Sequence, residues 1–252
     1  MSRRVYAAVV AALGLLAGTS ASPSASAAPG TARCPLPMFG PGRTYRPAIE
    51  PGDFSANVTN RWSPFPVGRT YVYTGVKDRM SVVDIVVASP RTRVVDGVRT
   101  RIVEDRLYEN GVLEERTSDY YAQDRCGNVW YFGEDTAELD RRGNVVSTEG
   151  SFHAGVDGAQ PGVFMQADPR VGRRFRQEWY AGQAEDTFRV VDLSTRVSVP
   201  FGTFGHALRT EERTALEPGV VDAKYYVAGV GVVFEGSVSG PREITRLVEI
   251  LP

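Results

Sequence analysis

From Arg69 onward the apolar positions recur with a period of two rather than 3.6, which predicts strands and not helices. Val82, Asp84, Val86 and Ala88 alternate with Val83, Ile85 and Val87, a run apolar on both faces over its middle and suited to a central strand. Arg93-Val94-Val95, the turn pair Asp96-Gly97 and the run Val98 to Tyr108 read as a hairpin. Glu109-Asn110-Gly111 supplies the next turn, and Val112 to Gln123 the next strand. Cys126-Gly127-Asn128 then leads into the short aromatic strand Val129 to Phe132, and Arg141-Arg142-Gly143-Asn144 turns the chain toward Val145-Val146-Ser147. Successive hairpins of this kind make an antiparallel meander.

Further strands are expected over 174–180, 187–193, 196–201, 207–213, 221–227, 230–236 and 243–250, with Ala228-Gly229 as a turn. The 26 glycines and 16 prolines disfavour long helices, leaving room for short ones only near 50–55 or 161–166. The predicted fold is all-β: a large antiparallel meander curled into an open or partial barrel, with a closed barrel or two packed sheets as the other solutions. Residues 69–252 show no linker-like shift in composition and are expected to form a single antiparallel β domain, preceded by a Pro/Gly-rich N-terminal arm over 28–68.

The first 27 residues have the form of an export signal. Arg3 and Arg4 give a charged start, Val5 to Gly18 is apolar but short for a membrane span, and Ala25-Ser26-Ala27 is an A-x-A cleavage site. Cleavage there leaves 225 of the 252 residues, beginning at Ala28, with no later stretch apolar enough to span a bilayer, and a secreted, soluble product is expected. Taking Arg3 and Arg4 from the 29 basic residues leaves 27 against 30 acidic ones, a net charge of −3 that gives no reason to expect a nucleic-acid partner. Cys34 and Cys126 are the only cysteines, and in an exported chain they are expected to form a disulfide stapling the arm to the sheet.

The chemistry-bearing residues cluster around one segment. The stretch Ser147 to Gly172, STEGSFHAGVDGAQPGVFMQADPRVG, carries His153, one of two histidines, with Glu149 and Asp157 on either side, and the apolar trio Val163-Phe164-Met165. It shows little strand pattern of its own and is expected to pack over the sheet as a lid. Glu134 and Asp135 follow the aromatic strand, and Glu178, Glu185 and Asp186 flank Trp179-Tyr180. Antiparallel neighbours could bring these acids to one rim with Asp157 and Gln160, so the candidate ligand-binding set is Trp130, Tyr131, Glu134, Asp135, Asp157, Gln160, Phe164, Met165, Glu178, Tyr180, Glu185 and Asp186. Converging carboxylates suit a Ca²⁺-like oxygen site, general acid/base work on a polysaccharide or ester, or plain pairing with the many arginines. No EF-hand loop, zinc spacing, G-x-S-x-G elbow or strand-turn-helix dinucleotide motif is present, so no metal, cofactor or catalytic residue is assigned.

The segments "YYAQDRCGNVWYFGEDTAE", "STEGSFHAGVDGAQPGVFM" and "RQEWYAGQAEDTF", with "RWSPFPVGRTYVYTG" and "VVDGVRTRIVEDRLYENG", resemble a family of secreted β proteins common in actinobacteria and without an assigned activity. "VPFGTFGHALRTEE" followed by "KYYVAGVGVVFE" is similar to a C-terminal pattern of exported lipoprotein-like β proteins, some with half-barrel folds. The resemblance implies export and an all-β fold. It also implies that His153, where the family often has an aromatic, is not a required catalyst. The function expected on this basis is an exported binding or scaffold protein for a small molecule or another protein, with an extracellular hydrolase or lyase as the alternative.

Overall fold

The period-two pattern becomes long antiparallel strands in the computed structural model, which describes residues 34–252. The expected export signal over 1–27, and the new terminus at Ala28, lie outside the described residues. In chain order the strands are β1 Phe54–Ser55, β2 Thr70–Lys77, β3 Met80–Val95, β4 Val98–Glu109, β5 Val112–Asp124, β6 Val129–Leu139, β7 Val145–Ser147 and β8 Phe152–His153. They continue as β9 Gln160–Met165, β10 Arg174–Arg176, β11 Glu178–Trp179, β12 Thr187–Val199, β13 Gly202–Arg213, β14 Val221–Val227, β15 Gly231–Ser239 and β16 Glu243–Leu251. Two single-turn 3₁₀ segments, Gly42–Thr44 and Pro51–Asp53, are the helical elements among the described residues.

Turn chemistry sets the registers. Asp96-Gly97 and Asn110-Gly111 both have positive φ at each central residue, the geometry that matches strand twist in a two-residue hairpin loop. Asp78 and Arg79 adopt the same geometry, φ 46° and 75°, between β2 and β3, where the sequence carries no glycine to mark the turn. Val95 then pairs with Val98 and Lys77 with Met80, so each hairpin closes at its tip.

Neighbouring strands follow the order β10-β12-β13-β14-β15-β16-β2-β3-β4-β5-β6-β9-β11, all antiparallel, and curl into a nearly closed barrel with one seam. The ends of this path are consecutive in the chain: β10 pairs with β12, β11 pairs with β9, and only Gln177 lies between them. The wall can be this tight because position 162 is glycine. A Cβ there would lie 2.3 Å from the Gln177 carbonyl carbon and 2.4 Å from the Arg176 oxygen.

The arm, residues 34–68, lies on the wall. Phe54 meets Trp130 and Phe132 edge-on at 5.8 and 5.3 Å, and Val58 and Trp62 are buried in the same cluster as Val163 and Met165. Asn60 bonds to the Gly127 and Gln166 carbonyls and caps the Trp62 and Ser63 amides. Cys34 and Cys126 form the expected disulfide, Cα atoms 5.9 Å apart. Arg176 donates to the Gly40 carbonyl and lies over both Phe39 and Trp179, so the arm also crosses the seam.

Three expected boundaries change. The strand read as Val129 to Phe132 runs on to Leu139, which puts Glu134 and Asp135 inside it on opposite faces. Pro161 to Gln166 is not a helix: Gln160 to Met165 is strand β9, part of the wall. The 147–172 segment is therefore not a lid. Through β8 and β9 it supplies strands that pair with β6, Gly133 opposite His153 and Trp130 opposite Val163.

Candidate functional site

Directly opposed residues of antiparallel strands share a face, so the register alone places side chains in the barrel interior. One row passes from Tyr73 to Asp84, Leu107, Glu115 and Glu138 across β2 to β6. The next passes from Tyr71 to Val86, Asp105, Thr117 and Thr136, and a third from Ala88 to Val103, Asp119 and Glu134. On the far wall Thr210 opposes Lys224, Lys224 opposes Glu235, and Glu235 opposes Thr245. The lumen thus carries a belt of acids, with Lys224 at its middle and Lys77 toward the Glu115 end.

Above this belt lies a cavity of about 150 Å³. Tyr71, Tyr73, Tyr121, Phe164, Val86, Val103 and Val232 give it an apolar and aromatic wall, and Asp84, Asp105, Asp119, Glu235 and Lys224 give it a charged one. Its cap comes from the arm: Ser63, Pro64 and Phe65 line the cavity, and Phe65 stacks on Tyr121 with ring centroids 4.7 Å apart. Phe164 closes the cluster, 4.8 Å from Tyr121 and 6.4 Å from Phe65.

Charge is unevenly compensated within the lumen. Lys224 Nζ lies 3.0 Å from Glu212 and 3.5 Å from Glu235. Burial works against its ammonium, but Glu212 and Glu235 outweigh that and hold its pKa well above the usual lysine range. Glu235 is nonetheless pushed up to about 7 by burial, which exceeds the pull of Lys224. Asp119 is also pushed up to about 7, by burial first and by Asp105 second, although Tyr131 donates to its Oδ1 at 2.6 Å. Asp84 and Asp105 hydrogen-bond to each other. Burial raises both, and the repulsion between their charged forms adds to it. The Asp84 Oδ1 atom is buried without a hydrogen-bond partner.

The residues grouped by sequence separate onto two faces. Glu134 points inward, its pKa raised well above normal by burial and then by Asp119. Glu178 is buried beside it and shifted the same way by burial and Asp186. Tyr131 and Phe164 belong to the lumen side, both against Tyr121, Tyr131 stacked on it and Phe164 tilted. Trp130 and Met165 face the arm instead: Trp130 donates to Asp124, and Met165 is fully buried under the arm. Asp135 lies outside, where Tyr120, Arg93 and His153 gather on its carboxylate and overcome its partial burial, lowering its pKa.

Asp157 occupies an exposed turn at φ 49°, and Gln160 donates to the Gly158 carbonyl. Glu185 accepts the Gly182 amide in a turn, Tyr180 bridges to Ala184 beside it, and Asp186, at the surface end of the cluster, still has its pKa raised by burial and acts on Glu178. Glu134, Glu178 and Asp186 are therefore close enough to act on one another, while Asp135, Asp157 and Glu185 lie apart from them.

The residues missed are Asp84, Asp105, Asp119, Glu235, Lys224 and the cap at Phe65. A signal for the first three was present: each is an acid on the apolar-periodic face of its strand, Asp84 between Val82 and Val86 and Asp105 after Val103. Among the described residues, the one trio of His, Cys, Asp or Glu with ligand atoms within 4.8 Å of one another is Cys34, Asp124 and Cys126. Its two sulfurs are joined to each other and its aspartate is saturated by Asn128, Trp130 and the Cys126 amide, so it does not fit a metal.

No protein-family model and no curated protein matches the chain. Two solved structures are similar in shape. One is a candidate exported protein with a YmcC-like fold from Bacteroides fragilis, at TM-score 0.42 and 11% identity over 77% of this chain and 100% of that one. The other is a candidate lipoprotein from Parabacteroides distasonis, at TM-score 0.40 and 10% identity over 75% of this chain and 97% of that one.

Proposed function

We propose that this is an exported binding protein that holds one small molecule in the barrel lumen, beneath the Ser63–Phe65 cap. The reading rests on one observation above all. The barrel retains a cavity of about 150 Å³, partly covered by the arm, whose wall is aromatic on one side and carboxylic on the other. Filling such a space with side chains would stabilise a purely structural barrel, and protein interiors ordinarily leave few voids of this kind. Export agrees with the Cys34–Cys126 disulfide, which persists in oxidising compartments. The hydrolase or lyase alternative drew on a rim of acids, and Asp135, Asp157 and Glu185 lie outside the lumen.

Native mass spectrometry of protein purified from its own host tests the proposal. The expected result is a stoichiometric small-molecule adduct that is lost in Val86→Phe, a change that fills the cavity. Bare protein from wild type and variant alike overturns it.

A further inference from the structure

We propose that the lumen selects a small organic cation: an ammonium group on a compact apolar body. This rests on the lumen being the binding site. Three independent features lead to it.

The first is unbalanced charge. Asp84, Asp105, Asp119 and Glu235 line the cavity against Lys224 alone. Lys224 forms its ion pairs with Glu212 and Glu235, 3.0 and 3.5 Å from its nitrogen, and acts on Asp105 and Asp119 only from beyond ion-pair distance. Asp119 takes a hydroxyl from Tyr131, while Asp84 and Asp105 share a hydrogen bond and neither forms an ion pair within 4 Å among the described residues. Two buried carboxyls in contact retain a proton between them when no cation is at hand.

The second is an unmet acceptor. Asp84 lines the cavity, and its Oδ1 is buried with no hydrogen-bond partner beyond the contact of its carboxyl with Asp105. A buried acceptor left unsatisfied is costly, and an ammonium brings three donors to it.

The third is the opposite wall. Tyr121, Phe65 and Phe164 form one aromatic cluster on the cavity. Their ring faces accept an apolar body and attract positive charge. An anion would meet the aspartates, and a neutral hydroxyl would bring one donor and no charge to them. A bare metal ion fits poorly, because the lumen acids do not bring three ligand atoms within 4.8 Å of one another.

Size selects the probe, since a protein cavity of ~150 Å³ accepts benzene. Benzylammonium, its neutral isostere benzyl alcohol and the anion benzoate are titrated by calorimetry into the disulfide-intact protein at pH 8. The expected result is that benzylammonium binds at least tenfold more tightly than benzyl alcohol, and that benzoate does not bind. Asp84→Asn should then weaken the amine at least fivefold and leave the alcohol unchanged. If that variant does not fold, Asp105→Asn makes the same test from the other side of the pair. Equal binding of amine and alcohol overturns the cation selectivity and leaves the lumen as a binding site. If none of the three binds, both the selectivity and the lumen reading fall.

Discussion

Phe65 lies flat against Tyr121, ring centroids 4.7 Å apart and planes 29° from parallel. One ring belongs to the arm and the other to the wall, so this contact covers part of the cavity with a segment that precedes the barrel in sequence. Replacing Phe65 by Ala should remove the cap as well as a packed ring. A partly buried phenylalanine should cost about 2–4 kcal/mol, somewhat less than a fully buried one. Urea denaturation gives the stability loss, and stronger binding of an environment-sensitive dye should report the opened lumen.

Met165 reports on the 147–172 segment as wall rather than lid. It is fully buried between β9 and the arm. Met165→Ala should destabilise by about 2–5 kcal/mol. A neutral result in thermal or denaturant unfolding would mean that β9 does not pack as described.

The lumen acids make stability depend on pH. Asp119, with a folded pKa of about 7, faces Asp105 on β4, Tyr131 and Glu134 on β6, Glu115 on its own strand and Lys224 on β14. Its pKa is raised on folding, so the folded protein holds the proton more tightly than the unfolded chain does. Its contribution is then fully present below the ordinary aspartate range, near 4, and lost as pH rises through 7. Asp119→Asn keeps an acceptor for Tyr131 and removes the charge. It should raise stability at pH 8 by at least about 1 kcal/mol, one pKa unit's worth, and have little effect at pH 4. Denaturation midpoints across pH 4–8 would contradict this if the variant paralleled wild type throughout.

Gly162 sits where two remote backbones touch. A Cβ would approach the Arg176–Gln177 peptide to 2.3 Å, and backbone cannot swing aside as a flexible side chain can. Gly162→Ala should cost about 1–3 kcal/mol or more by overpacking. Amide exchange should quicken selectively in β9, β10 and β11, and uniform protection there would contradict the close contact.

Loss of the disulfide should act on the arm. Cys34 and Cys126 are 92 residues apart in sequence, a loop size for which cross-linking contributes roughly 4–5 kcal/mol in the chain-entropy account. Cys34→Ser with Cys126→Ser should lower the melting temperature and expose the arm to limited proteolysis before the barrel.

Much of the barrel was legible because its signals are local. Asp96-Gly97 and Asn110-Gly111 announce their hairpins, and the alternation in Val82 to Ala88 gives the strand. The turn at Asp78-Arg79 was not legible, since neither residue is glycine and the positive φ values come from the strands it joins. β9 was missed because Pro161 and Gly162 look like a turn. Pro161 sits opposite Glu178 and Gly162 is required by the seam, a contact with residues 14 or more positions away. The candidate site was half legible. Tyr131, Glu134, Phe164 and Glu178 face the lumen, but proximity in sequence joined them to Asp135 and Glu185, which strand alternation and a local turn send elsewhere. Asp84, Asp105 and Lys224 meet only once the strands curl.

β16 pairs with β2 along eight register positions, from Glu243 opposite Lys77 to Leu251 opposite Thr70. The first long strand of the wall waits for the last. A chain that stopped before Glu243 would be no shorter barrel but an unrolled sheet. Its two bare margins, on β15 and β2, would each offer unpaired amides and carbonyls to any passing strand. The lumen thus depends on β16 joining β2 to β15, and a ligand held there would be lost with that one strand.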